Sequence, residues 1–166
     1  MNGWIVVAAA LAMGAVSAPA PAPAKALAAL TVYEGSWVVT PKPTAGETAK
    51  IDRLSNHCRM LDAFYSCEQV VNGTPAALLV FTPAAEPGTF RTNVVLADGS
   101  GREQPGDLTI AGNRWTFVSK DGTGKPSFRV ENFYKDRDHI HFEQFQVVES
   151  GGWTRVGEGD EVRDGK

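Results

Sequence analysis

The sequence predicts an all-β domain, closed as an antiparallel up-and-down barrel of about 8–10 strands. Three observations carry this. From Thr31 onward the chain falls into short apolar runs broken by Gly, Pro, Asn and Asp about every 8–12 positions, the spacing of strands joined by turns. The connections are too short for crossover helices, so neighbouring strands pair antiparallel. The only two cysteines, Cys58 and Cys67, stand symmetrically about Asp62-Ala63. Folding the chain there sets Leu61 against Phe64, Met60 against Tyr65 and Cys58 against Cys67, so that the two sulfurs can join. A meander this long either closes or leaves bare edges, and closure removes them. A two-sheet sandwich, the alternative, needs longer crossings than this chain offers.

The chain has 166 residues, 43% hydrophobic and 21% charged, with a net charge of -3. These are the proportions of one ordinary globular domain. With neither sign of charge concentrated in a basic patch, nucleic acid is a poor partner, because phosphate neutralisation supplies most of that affinity. Ile5 to Val16 is an unbroken apolar run, the right length for the core of a secretory signal and too short to span a bilayer. Ala24 and Ala26 are the favoured cleavage points, since a cut after Ala18, Ala20 or Ala22 would place a proline next. Residues 1–26 are therefore expected to be signal peptide and Pro/Ala leader, and 27–166 a single exported domain, periplasmic or extracellular, with no membrane span once the signal is removed. No Lys or Arg precedes the apolar run, which leaves an uncleaved anchor as the alternative. In an oxidising compartment the cysteine pair becomes a disulfide, worth roughly 2–3 kcal/mol for a loop of this length.

Element by element, Ala26 to Leu30 reads as linker rather than core, and Thr31 to Thr40 as the first strand, ended by Pro41 and Pro43. Thr44 to Asp52 is polar and suits a loop or the one short helix. The cysteine hairpin follows, its second arm ended by Asn72-Gly73 and Pro75. Ala76 to Thr82 and Thr89 to Ala97 are apolar strands. Asp107–Ile110 and Arg114–Lys120 flank a Gly112-Asn113 turn, with Leu108 and Ile110 lining one face of the first arm and Trp115, Phe117 and Ser119 one face of the second. Ser127–Tyr134, His139–Val148 and a last polar strand from Trp153 to about Val162 complete the meander. The strand aromatics, Phe133, Phe145 and Trp153 among them, are expected to fill the interior or plug its end.

Gly35-Ser36-Trp37, opening the first strand ahead of such a meander, resembles the lipocalin and fatty-acid-binding (calycin) barrels. With the cysteine hairpin, Asn72-Gly73 and Gly151-Gly152-Trp153, the chain is similar to exported bacterial lipocalin-like domains of unknown function. The resemblance implies that Trp37 plugs the closed end and that a late basic residue, Arg155 or Arg163, packs over it. It also implies a small, largely apolar ligand held in the barrel. Interior polar groups would orient that ligand; the candidates are Asn132, Tyr134, Phe142 and Gln144 as wall residues, with Gln146, Asn93 and Arg129 beside them.

Two other chemistries are open to the residues. His139, His141 and Glu143 fall on one face of a strand and form a sufficient donor set for zinc, iron or haem, though one strand spaces them widely and two outward histidines are the plainer reading. Acid–base catalysis in the interior is the second, but no Gly-x-Ser-x-Gly occurs, and oxidation removes Cys58 as a partner for His57. No catalytic residue and no resident cofactor are expected, and a structural envelope role stands beside the ligand-binding one.

Overall fold

The computed structural model describes residues 23–43, 48 and 50–165. The apolar run Ile5 to Val16, read as a signal core, lies outside them. A short helix α1 (Pro23–Leu27) and a 3-10 turn (Ala28–Tyr33) precede ten strands. These are β1 (Gly35–Pro41), β2 (Asp52–Leu61), β3 (Phe64–Val71), β4 (Thr74–Pro83), β5 (Thr89–Leu96), β6 (Glu103–Ala111), β7 (Arg114–Lys120), β8 (Pro126–Tyr134), β9 (His139–Val147) and β10 (Trp153–Arg163). Each pairs antiparallel with the next, and β1 pairs with β10, so the sheet closes as an up-and-down barrel with strand order equal to chain order. Closure leaves no sheet edge to template further pairing.

The cysteine hairpin has the register read from its symmetry, with Leu61 opposite Phe64 and Cys58 opposite Cys67, and the two cysteines form a disulfide. Asp62 takes a positive φ of 46° to turn the chain. The two-residue Gly112-Asn113 turn likewise joins β6 to β7, with Ala111 opposite Arg114.

The first strand and the leader need correction. β1 begins only at Gly35, because residues 28–33 coil as a 3-10 turn. Ala26 to Leu30 is not a free linker: Leu27 and Leu30 are fully buried and pack with Tyr65, Cys67, Phe81, Phe90 and Leu108. Burying two leucines favours folding by about 1.5–3 kcal/mol each, enough to hold a helix too short to stand alone. Among the described residues helix occurs only here; the Thr44 to Asp52 stretch, expected as a loop or short helix, lies for the most part outside them.

The segment is latched at its end. The Tyr33 carbonyl accepts from Trp37 Nε1 and from Asn56 Nδ2, each at 3.2 Å. Arg163 donates to the carbonyls of Val32 and Glu34, both at 2.7 Å, pairs with Asp138 at 2.8 Å and lies 4.2 Å from the centre of the Trp37 ring. Gly35 admits this arrangement. Its φ is 114°, and a Cβ there would stand 2.7 Å from Arg163 Nη1. The basic residue over the plug is therefore Arg163 and not Arg155. Arg163 is paired directly with Trp37 across the β1–β10 seam, whereas Arg155 lies on the outer face among carboxylates.

Candidate functional site

Directly paired residues of neighbouring strands share a face, so the register divides the wall into an inside and an outside. On β8, Phe128, Val130 and Asn132 point inward, with Trp115, Phe117 and Ser119 of β7 beside them. They line a cavity of about 270 Å³ whose opposite wall includes Tyr65, Cys67, Leu79 and Phe81 of the hairpin and β4, with Leu30 and Tyr33 from the inserted segment. The disulfide is thus part of the cavity wall through Cys67. Gln104, Ser119 and Phe128 also border a polar cleft carrying Arg102, Glu103, Lys120 and Asp121, at the barrel end away from the inserted segment.

Several polar atoms in this interior have no hydrogen-bond partner. On the cavity wall these are Tyr65 Oη and Asn132 Oδ1; deeper in the protein they are Asn56 Oδ1, Tyr134 Oη and Glu161 Oε2. Asn56, Tyr65 and Glu161 are all more than nine-tenths buried. Glu161 faces inward because it pairs with Val39 and Ile140. Burial pushes the Glu161 carboxyl up to about 7, with the neighbouring Tyr33 side chain acting the other way. Burial holds the Tyr33 and Tyr134 phenols well above their ordinary value, helped by the nearby Glu161 charge. Tyr65 is raised to about 12, again mainly by burial.

The sequence-derived candidates separate. Asn132 lines the cavity. Tyr134 is inward but packs at the closed end, with Trp37, Leu54 and Ile140 and 4.9 Å from the Trp115 ring. Phe142 and Gln144 share the inward face with Asn132 and Val130, yet they lie over Gly159 and Gly157, whose missing Cβ atoms leave room for them. A Cβ on Gly159 would come within 2.6 Å of the Phe142 ring. Asn93 instead donates to Glu103 at 2.9 Å, and Arg129 lies over the Phe145 and Trp153 rings, outside the barrel. Those two aromatics, with Phe133 under Arg114, clothe the outer face and not the core.

The histidines are also outside. His139 Nδ1 contacts the Asp136 carboxylate at 2.8 Å in the preceding turn, away from the donor group that forms. That group is His141, Glu143 and Glu158, with ligand atoms within 4.8 Å of one another. Arg155 stands in it, 2.9 Å from Glu143 and 2.7 Å from Glu158, and Lys42 reaches Glu158 at 3.3 Å. Two cations already balance the two carboxylates, so His141 is left with a weak case for a metal. The sequence did not single out Tyr33, Asn56 or Glu161. The one available signal for Glu161 was its place in alternation with Gly157 and Gly159, small residues that mark close inward packing on β10.

The fold and site define a closed ten-stranded barrel with an internal cavity, an architecture able to take a ligand. The same fold occurs in a solved structure titled "Crystal Structure of Rv2717c from M. tuberculosis": the TM-score is 0.50 and the identity 14%, over 87% of this chain and 98% of that one. At that identity the likeness is one of fold alone. No family model and no curated protein matches this chain.

Proposed function

We propose that this protein is an exported, lipocalin-like carrier or sensor of a small, largely apolar molecule held inside the barrel. The observation that carries the reading is a cavity of about 270 Å³ lined mainly by apolar side chains and by uncharged polar ones such as Asn132, Gln69 and Gln104. Buried polar groups are ordinarily paired, and leaving one unpaired costs roughly 1–3 kcal/mol. A cavity with mostly apolar walls, a few polar side chains and two unpartnered polar atoms within those walls has the composition of a ligand pocket. The disulfide fits an oxidising compartment. Among the described residues no helix is long and apolar enough to cross a membrane.

Native mass spectrometry of protein isolated from its own host tests this directly, with a bound small molecule as the expected result. Val130→Trp, which fills the cavity from β8, should abolish the adduct and leave the fold intact. An empty wild-type protein that also takes up no naphthalene in solution would refute the reading. A second reading, acid–base chemistry, draws on Glu161, whose buried carboxyl is raised to about 7 and neighbours Tyr33 of the cavity wall. A bound mass that changes on incubation with the wild type but not with Glu161→Gln would favour it.

A further inference from the structure

The cavity has two ends, and they differ in what they offer a ligand. Across β6, β7 and β8 the inward positions fall in three levels: Ile110, Trp115 and Asn132, then Leu108, Phe117 and Val130, then Gly106, Ser119 and Phe128. The first level lies beside the inserted segment, where Leu30 and Tyr33 complete the wall. That end is shut. Leu27 and Leu30 are buried there, and Trp37 and Arg163 hold the backbone carbonyls of Val32, Tyr33 and Glu34.

The third level is different. Gln104, Ser119 and Phe128 line the cavity and also the polar cleft at the opposite barrel end, so cavity and cleft meet there. Gly106 has no side chain and Ser119 a short one, which leaves Phe128 as the large group of its level. Every described residue of the cavity wall is uncharged, whereas the cleft carries Arg102, Lys120, Glu103 and Asp121. The cleft charges do not simply cancel in pairs. Lys120 and Arg91 share the one carboxylate of Asp107, each at 2.5 Å, so positive charge is left over. Glu103 takes a hydrogen bond from the neutral Asn93 amide at 2.9 Å. Asp121 accepts from Thr123 and from the Lys125 N–H within its own turn.

From this arrangement we infer that the ligand is a single-headed amphiphile, lying tail-inward with its apolar part in the cavity and its polar or ionic head in the cleft. The inference rests on the ligand-binding reading and adds the class of molecule and its orientation. A charged head costs heavily only when it leaves water. In this orientation the head stays hydrated at the mouth while the chain is buried, the same division that Lys and Arg side chains adopt at protein surfaces. Charges of both signs stand in the cleft, so an anionic or a cationic head meets a counter-charge there. A head at the shut end would sit among Leu30, Tyr65 and Phe81 with no counter-charge on the wall. A molecule charged at both ends is forced into that position with one of them.

Octanoate, octylammonium and octanedioate test the inference, each read as displacement of naphthalene from the full protein at about pH 7.5, where every head is ionised. Naphthalene binding is itself followed by the fluorescence of Trp115 on the cavity wall. Both single-headed compounds should displace naphthalene, and octanedioate should need at least about tenfold more. Lys120→Gln then reads where the head lies. At low ionic strength it should weaken octanoate and tighten octylammonium, each by about twofold to fivefold, with naphthalene unchanged. Glu103→Gln should shift the two ions the opposite way. A merely structural effect would move all the compounds together, and a substitution that costs the fold leaves the other, on a different strand, to decide. Octanedioate as effective as octanoate, single-headed compounds that fail to displace bound naphthalene, or a charge preference that neither substitution shifts would overturn the inference and leave the binding function standing. A protein that takes up neither naphthalene nor any of the three ions would instead bring down the binding function, and this inference with it.

Discussion

The inner and outer faces of β8, β9 and β10 both carry polar side chains, but the outer charges are paired while several inner polar atoms are not. Outside, the charges answer one another. Glu131 is buried between Arg114 and Arg129, His141 and Lys135 both contact Asp160, and Arg155 spans Glu143 and Glu158. Inside, Asn132 Oδ1, Tyr134 Oη and Glu161 Oε2 have no partner at all. A residue list ranks the outer face higher, since it holds two of the three histidines and most of the carboxylates. Satisfaction reverses the order. Paired groups have their free energy already committed to structure, whereas unpaired buried groups retain an interaction to give to something else.

If the inner face at the closed end holds the barrel together, its largest side chain should matter most. Trp37 is fully buried, donates to the Tyr33 carbonyl and supports Arg163. Trp37→Ala should cost about 3–5 kcal/mol, seen as a loss of denaturant midpoint at unchanged slope. A loss of under about 1 kcal/mol would mean that the inserted segment closes the barrel without its latch. Next comes the disulfide. Replacing Cys58 and Cys67 together by alanine should cost about 2–3 kcal/mol by freeing the loop in the unfolded chain. It should also weaken naphthalene binding only modestly, since Cys67 contributes wall and not chemistry.

Glu161 tests the inner face by pH. Its folded-state value is near 7 against an ordinary value of 4.5, so the folded protein holds a proton that the unfolded chain has released between those two values. Stability attached to this group is therefore complete below about pH 4.5, declines as pH rises, and is fully lost above about pH 7. Burial sets this window, with the neighbouring Tyr33 side chain acting against it; Tyr134 and, through it, Arg163 are the other titratable groups that face this carboxyl. Glu161→Gln should flatten that decline and gain about 1–3 kcal/mol over wild type at pH 8. A wild-type melting temperature that rises steadily from pH 4.5 to 7, with no difference in the variant, would show that Glu161 is not held in this way.

These inner-face residues also mark where the sequence stopped being informative. The hairpin register was legible because Cys58, Met60 and Leu61 meet their partners across one short turn, so local spacing fixes the contact. The same holds at Gly112-Asn113, and from such turns the antiparallel meander follows. Glu161 meets Val39 across the seam between the last strand and the first, a pairing that no local pattern encodes. Asn56 and Tyr33 become interior only when residues 23–33 enter the barrel end. The part of that segment up to Leu30 looked like linker or leader because its small apolar residues carry no strand period, and Thr31 to Tyr33 were read into the first strand. Arg155 and Arg163 were equal candidates for the plug until closure put one on each face of β10. The histidines drew attention by chemistry alone, and register then placed them on the solvent side.

The smallest effect belongs to the outer face, and its smallness is the point of the test. Arg155 is half exposed and its two carboxylate partners are themselves in contact with water, so the pair energies are screened. Arg155→Ala should change stability by less than about 1 kcal/mol and leave naphthalene binding as it was. It also removes the cation lodged among His141, Glu143 and Glu158, so the variant offers a metal its best opportunity at this position. Melting with and without zinc completes the comparison. The wild type should not respond, because Arg155 and Lys42 hold the carboxylates, while a rise in the variant would show that the outer donors bind metal only when that cation is gone. A zinc-induced rise in the wild type of more than a few degrees would break the division between the faces, because the paired outer groups would then hold a ligand as well.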